Sequence, residues 1–165
     1  MRRVEHGDVG GADRRLSDET ATARLGATIA AALRRGDFIA LFGPLGAGKS
    51  TLARGLVRAL AGDDEEVPSP TFTLIQLYDG PDFPLAHLDL YRLKRPDEAW
   101  ELGLEDALAD GAAVVEWPER LGDDLPADRL EVALSAATGA DAAPDERLAR
   151  LRGFGSWSTR VAELP

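Results

Sequence analysis

One eight-residue stretch, Gly43-Pro-Leu-Gly-Ala-Gly-Lys-Ser50, limits the possible folds of this chain more than any other. It fits the pattern G-x-x-x-x-G-K-[ST], in which a glycine-rich loop joins a strand to a helix and surrounds phosphate groups. The apolar run 38–42 precedes it, and the helix-like segment 51–60 follows it. In that setting the N–H groups of the loop and the helix N-terminus both favour a bound anion. The stretch therefore predicts a site for a nucleoside triphosphate and Mg²⁺.

The residues of this loop have separate predicted tasks. Lys49 is one of only two lysines among the 19 basic residues of the chain. Its compact ammonium on a long stem suits the β- and γ-phosphates, and the Ser50 hydroxyl suits Mg²⁺. The loop residues predicted to contact the nucleotide are Gly43, Leu45, Gly46, Ala47, Gly48, Lys49, Ser50 and Thr51.

Composition narrows the class of protein. A chain of 165 residues predicts one domain. The absence of cysteine excludes disulfide bonds, thiolate metal sites and a cysteine nucleophile. No apolar run approaches the ~20 residues that span a bilayer, so we expect a cytoplasmic protein that makes no use of a membrane.

The formal net charge of −10 bears on the partners of the chain. Binding of a nucleic-acid backbone needs a basic surface, so we do not expect this chain to hold RNA or DNA alone. In a nucleic-acid pathway another subunit would hold the nucleic acid. An acidic protein is itself suited to docking on a basic protein partner.

Apolar spacing and helix-breaking residues predict the organisation of the chain. Residues 1–15 are a weakly patterned lead-in, with an edge strand near 14–16, and residues 16–165 form a single domain. Helices are predicted over 17–36, with Ser17 as the capping residue, over 51–60 and over 96–111. Strands are predicted over 38–42, 72–78, 85–90, 112–115 and 130–134, with a final strand and short helix in 147–165. The alternation predicts an α/β fold, a P-loop NTPase-like domain whose central mixed sheet is flanked by helices.

Two acidic residues end predicted strands. Asp89 closes the run 85–89, and Glu116 follows the apolar run 112–115. Ligands of open α/β sheets collect at the carboxyl ends of strands, so both carboxylates are expected near the phosphates. Hydrolysis needs such acids to hold Mg²⁺ and orient the attacking group, although each acid could instead cap a turn. Either one could be the Walker B-type acid, whereas His87 is interpreted as a strand residue rather than a ligand.

The segment Ser69-Pro-Thr71 has the character of a switch loop. Pro68 and Pro70 restrict the backbone here, so the hydroxyls of the segment could be presented to the γ-phosphate or Mg²⁺ at little entropic cost. The alternative interpretation is a polar turn before a strand.

Nucleotide specificity is indicated by a missing motif. GTPases of the Ras type read guanine with Asn-Lys-x-Asp, but Lys49 follows glycine and Lys94 follows leucine. ATP is therefore the expected nucleotide.

Four motifs together resemble one family. They are GPLGAGKST at 43–51, SPTFTL at 69–74, HLDLYRL at 87–93 and VEWP at 115–118, in the order found in the TsaE (YjeE) proteins. The resemblance covers roughly residues 16–134. It implies a small P-loop ATPase of bacterial tRNA N6-threonylcarbamoyladenosine (t6A) synthesis that uses ATP and Mg²⁺. It also implies TsaD- and TsaB-type partners, the t6A-transferring subunit and its paralogue, with tRNA contacted only through the complex. ATP hydrolysis would reset that complex between turnovers.

The resemblance also implies roles for individual residues. Lys49 would hold the β- and γ-phosphates, and Ser50 would bind Mg²⁺. Thr71 would be the switch threonine, Asp89 the Walker B-like acid and Glu116 a second acid at the metal or the water. Which of the two acids binds Mg²⁺ directly stays open.

The resemblance also bears on three further positions. Trp117 is expected to pack near the nucleotide, the alternative being a core aromatic. Pro44 departs from the acidic or polar residue that is common in the family. Arg92 could stabilise transition-state charge, bind a partner or form a surface ion pair.

Two other functions are compatible with the P-loop. The first is a kinase for a nucleoside or small metabolite, although the only arginine-rich stretch after the loop, 92–95, is short for a lid over phosphates. The second is a nucleotide-gated binding module without useful hydrolysis. Glu116 separates the second from a hydrolase, because only a hydrolase needs its carboxylate for turnover.

Overall fold

The computed structural model describes residues 10–71 and 73–165. Its strands are β1 (Gly10–Leu16), β2 (Phe38–Phe42), β3 (Ile75–Asp79), β4 (Pro84–Asp89), β5 (Ala112–Glu116), β6 (Arg129–Ala136) and β7 (Arg147–Phe154). Its α-helices are α1 (Glu19–Ala32), α2 (Lys49–Ala61), α3 (Asp97–Glu101), α4 (Leu104–Asp110) and α5 (Trp157–Arg160), and 3₁₀ turns cover Pro118–Asp124 and Val161–Glu163. The seven strands form one sheet in the order β1-β7-β6-β2-β5-β4-β3.

The sheet is parallel at its centre and antiparallel at both sides. Strands β4, β5, β2 and β6 run parallel, whereas β3, β7 and β1 pair antiparallel with their neighbours. This arrangement confirms the predicted α/β fold with a mixed sheet. It also brings the carboxyl ends of β2, β4 and β5 to one edge, where the glycine-rich loop begins.

Strand β2 explains why the centre of the sheet has helices on both faces. Its side chains alternate between two apolar clusters, with Ile39 and Leu41 on one side and Phe38 and Ala40 on the other. The first cluster includes residues of α1 and α2, and the second includes residues of α3 and α4. A strand buried on both faces has a continuous apolar sequence, and residues 38–42 are such a run.

Two helix predictions need correction. The N-cap of α1 is Asp18 rather than Ser17, because the Asp18 carboxylate accepts a hydrogen bond from the Ala21 N–H at 2.8 Å. The single helix predicted over 96–111 is two short helices, α3 and α4. Gly103 separates them with a φ of 104°, a left-handed conformation that interrupts the helix. In the described part of the chain, no helix has the length and apolar character to cross a membrane.

The two ends of the described chain meet in the sheet. Strand β1 pairs with β7 along its whole length, so the edge strand begins at Gly10 and is longer than the predicted 14–16. Residues 1–9 of the lead-in lie outside the described residues. The final strand and short helix predicted in 147–165 are confirmed by β7 and α5. The strand predicted over 72–78 starts later, at Ile75, and Phe72 lies outside the described residues.

Candidate nucleotide-binding site

The glycine-rich loop joins β2 to α2, as the motif predicts. Gly48 occupies the N-cap of α2 with a φ of 105°, where a side chain would be strained, and no side chain caps the helix. The first N–H groups of α2 therefore lack an internal capping partner and are oriented for an anion.

A cavity of about 320 Å³ opens at this loop. All of the predicted site residues except Gly43 line it, including Thr71 and Trp117 from outside the loop. Its volume lies in the range of small-molecule sites, about 300–1,000 Å³. The lining residues that our site prediction did not contain are Glu19, Thr22, Ser69, Asp145 and Arg147.

Lys49 is buried and turned back toward its own loop. Its Nζ donates hydrogen bonds to the carbonyl of Gly43 and, at 3.1 Å, to that of Pro44. Burial lowers the pKa of Lys49, and the carboxylates of Glu116, Glu119 and Asp89 oppose that shift. The ammonium is thus held by carbonyls that a phosphate can replace. Pro44 lacks an N–H, but its carbonyl is still used.

The two strand-end acids lie side by side. Asp89 and Glu116 face each other in the parallel β4–β5 register, and both are buried. The Ser50 hydroxyl donates to Glu116 Oε1 at 3.1 Å, and the Thr71 hydroxyl donates to Asp89 Oδ2 at 3.4 Å. The structure therefore brings the loop, the Ser-Pro-Thr segment and both acids together.

Burial dominates the electrostatics of Asp89. It raises the pKa of that carboxyl, and the nearby Glu116 raises it further. The N–H of Tyr91, which donates to Asp89 Oδ1 at 3.0 Å, is the largest opposing influence. A cation bound at this place would relieve the repulsion between the two acids.

The oxygen atoms at the site suit Mg²⁺. Mg²⁺ is usually held by one or two carboxylates together with substrate phosphates and water. Ser50, Asp89 and Glu116 offer a hydroxyl and two carboxylates at the foot of the loop. Within the described residues no cluster of three His, Cys, Asp or Glu side chains could hold a metal by itself. The donor set therefore fits an ion that arrives with a nucleotide.

His87 lies on β4, as predicted, and also contacts the site. Its Nε2 lies 2.7 Å from Glu116 Oε2, and its side chain is almost fully buried. The two residues come from neighbouring strands, and His87 points to the same side of β4 as Asp89 because the residues are two apart. That spacing was the available signal for the contact, and our sequence interpretation did not use it.

Trp117 lies between Lys49 and the apolar core. Its ring lies 3.9 Å from Lys49 Nζ and 4.8 Å from the Tyr91 ring, and it also packs against the apolar cluster beneath α3 and α4. Its backbone has a φ of 57°, which costs of order 1–3 kcal/mol for a residue that is not glycine. Such strain is common where a side chain is held at a binding site.

Arg147 is the clearest residue that sequence reasoning missed. It begins β7 and donates to the carbonyls of Gly46 and Ala47, each at 3.0 Å. No local motif marks it, because the contact spans 100 residues or more and depends on the position of β7 beside β6.

Comparisons with known proteins find a matching family, similar sequences and a similar fold. The family model described as "Threonylcarbamoyl adenosine biosynthesis protein TsaE" matches residues 16–144. A Streptomyces coelicolor protein named tRNA threonylcarbamoyladenosine biosynthesis protein TsaE is 43% identical over 141 residues, covering 82% of this chain and 93% of that protein. A Rickettsia bellii protein of the same name is 40% identical over 119 residues, 72% of this chain and 83% of its own length. The crystal structure of Bacillus subtilis YdiB superposes with a TM-score of 0.77 at 31% identity, covering 94% of this chain and 95% of that one.

Proposed function

The chain belongs to the TsaE family, and from that premise we propose that it is the ATP-binding and ATP-hydrolysing subunit of bacterial t6A synthesis on tRNA. One observation supports hydrolysis in particular. The Ser50 hydroxyl bonds to Glu116 at the foot of the loop, with Asp89 beside it in register. The kinase alternative gains no support from the relatives, which are named for t6A biosynthesis.

ATP binding would use the loop and Lys49. The N–H groups at the start of α2 would receive the phosphates, and the Lys49 ammonium would exchange the carbonyls of Gly43 and Pro44 for phosphate oxygens. When bound, Mg²⁺ would neutralise phosphate charge. Ser50 and one of the carboxylates of Asp89 and Glu116 would hold it.

Hydrolysis would depend on the second carboxylate. Glu116 is fixed from two sides, by the Ser50 hydroxyl and by His87, so its carboxylate has a defined orientation. A carboxylate held in this way can orient a water and accept its proton. Asp89 is fixed likewise by the Tyr91 N–H and the Thr71 hydroxyl, which links the site to the Ser-Pro-Thr segment.

The partners follow from family and charge. We propose that the chain acts with TsaD- and TsaB-type proteins in the cytoplasm and that its ATP turnover resets their complex. The net charge of −10 suits a basic protein surface rather than the tRNA backbone, so tRNA would be contacted only through the complex.

A reconstituted complex tests this function. ATP hydrolysis and t6A formation would be followed with purified partners, using the wild type and Glu116→Gln. We expect Glu116→Gln to lower ATP turnover by about 10²-fold or more, the usual size of a general-base effect, while ATP still binds. Glu105→Gln, an exposed acid on α4, is the matched control and should behave as the wild type.

Two results would contradict the proposal. If the wild type changed neither ATP hydrolysis nor t6A formation in the complex, the assignment to this reaction would fail. If Glu116→Gln hydrolysed ATP at the wild-type rate, Glu116 would have no catalytic role.

A further inference from the structure

A guanidinium from the last strand holds the outer side of the glycine-rich loop. Arg147 Nε donates to the Ala47 carbonyl and Nη2 to the Gly46 carbonyl, each at 3.0 Å. Its Nη1 donates to the carbonyls of Pro144 at 2.8 Å and Glu146 at 3.0 Å. All of these acceptors are main-chain oxygens, so Arg147 ties the start of β7 to the loop.

These contacts leave Arg147 little capacity for phosphate. A guanidinium has five N–H donors in a rigid planar arrangement, and the four bonds above engage all three nitrogens. Although the side chain lines the cavity, its donors point to protein carbonyls. Its contribution is therefore to the conformation of the loop.

Two cations bind different carbonyls of the loop. Lys49 holds those of Gly43 and Pro44, and Arg147 holds those of Gly46 and Ala47. Lys49 must leave its carbonyls when it turns to a phosphate, whereas Arg147 can keep its own. The second half of the loop would thus keep its Arg147 contacts, while Pro44 would keep the hydrogen bond that its carbonyl accepts from the Ala47 N–H at 3.1 Å.

We propose that Arg147 is a positioning residue that pre-organises the Gly46–Ala47 turn, directly before the N-terminus of α2, before nucleotide arrives. A loop already held in its binding conformation loses less entropy on binding, which raises affinity. The benefit to ATP rests on the proposed function, whereas the ordering of the free loop does not. Through Arg147 the segment 144–147 is physically connected to the nucleotide site.

The test compares Arg147→Ala and Arg147→Lys with Arg150→Ala. Arg150 lies on the same strand but points to the opposite face, with a side chain 71% exposed and 3.5 Å from Asp13. The first measurement is amide hydrogen exchange of residues 46–49 in nucleotide-free protein. The second is the dissociation constant of MgATP by calorimetry.

For Arg147→Ala we expect exchange of these amides to be about tenfold faster and MgATP binding about tenfold weaker, which corresponds to ~1.4 kcal/mol. Arg147→Lys should be nearly as impaired, because an ammonium keeps the charge but cannot span two pairs of carbonyls. Arg150→Ala should match the wild type in both measurements.

Wild-type exchange in Arg147→Ala, or full recovery of both properties in Arg147→Lys, would overturn the inference, since the geometry of the guanidinium would then be irrelevant. If Arg147→Ala does not fold, the comparison of Arg147→Lys with Arg150→Ala decides. If the wild type fails to bind MgATP, the proposed function fails, while the exchange measurement still tests the ordering of the loop.

Discussion

Buried carboxylates at the two ends of the parallel strands differ in the partners that hold them. At the amino end of β2, Asp37 accepts two hydrogen bonds from Arg160, at 2.9 and 2.7 Å, and both residues are only 7% exposed. At the carboxyl ends of β4 and β5, Asp89 and Glu116 are equally buried. Across residues 10–71 and 73–165, no lysine or arginine forms an ion pair with either of them.

This difference separates a structural acid from two acids that no described lysine or arginine pairs with. Asp37 has its counter-charge within the protein, and Arg160 also donates to the Ala32 carbonyl and lies over the Trp157 ring at 3.8 Å. Asp89 and Glu116 are held by hydroxyls, an N–H and His87, which orient them without neutralising both charges. The arrangement around Asp89 and Glu116 leaves negative charge that a cation from outside the chain can neutralise.

Among the variants that test this comparison, Arg160→Met is expected to have the largest effect. It leaves Asp37 buried without its counter-charge, and we expect a loss of about 3–5 kcal/mol in the free energy of unfolding, measured by urea denaturation. Arg95→Met is the control, because Arg95 forms an exposed pair with Asp97 at 3.3 Å and should change stability by less than ~1 kcal/mol. Equal losses of unfolding free energy in the two variants would show that the buried Arg160–Asp37 pair contributes no more to stability than an exposed pair.

The next largest effect is expected for Lys49→Ala, at the carboxyl ends of the parallel strands. It removes a cation that interacts electrostatically with both acids, and we expect MgATP binding to weaken by about 1.5–3 kcal/mol, the worth of a charged hydrogen bond. Calorimetry measures the change, and Lys94→Ala, the other lysine of the chain and exposed, serves as its control. Unchanged binding in Lys49→Ala would contradict the P-loop interpretation itself.

His87→Ala tests whether contacts other than ion pairs with lysine or arginine hold Asp89 and Glu116 in place. It deprives Glu116 Oε2 of its buried neighbour at 2.7 Å, so we expect stability to fall by about 1–3 kcal/mol and ATP turnover in the complex to decrease. His87→Gln, which keeps a polar group, should recover part of both. Gln76→Ala, opposite His87 in the β3–β4 register, controls for the strand pair. Full activity in His87→Ala would show that Glu116 needs no such support.

The smallest expected effect is a pH dependence that involves Asp89. Burial raises the pKa of Asp89 above its ordinary value of 3.8, so the folded state binds its proton more tightly than the unfolded state. The stability from that proton is complete below pH 3.8 and is lost as pH rises through the folded-state pKa. Without Mg²⁺, the wild type should therefore lose stability relative to Asp89→Asn as pH rises. A flat difference in unfolding free energy, or the opposite slope, would contradict this sign.

Much of the fold was predictable because its signals are local. The apolar runs of β2 and β5 and the glycine-rich loop are each specified within a few residues, and the structure places them as expected. The sequence predictions were wrong at two helix boundaries. Asp18 caps α1 instead of Ser17, and Gly103 divides a helix whose apolar spacing is continuous across it.

The sequence by itself determined the phosphate loop, the two strand-end acids and the Ser-Pro-Thr segment, since each is written in consecutive residues. Only the tertiary structure decided which distant groups contact the loop and the structural acid Asp37. Arg160 reaches Asp37 across 123 residues, and Arg147 reaches Ala47 across 100. The physical reason is strand order: β7 comes late in the chain but pairs between β1 and β6, and no local pattern specifies that neighbour. The cations that fix the loop and the structural acid therefore come from a tail in which the sequence showed only a strand and a short helix.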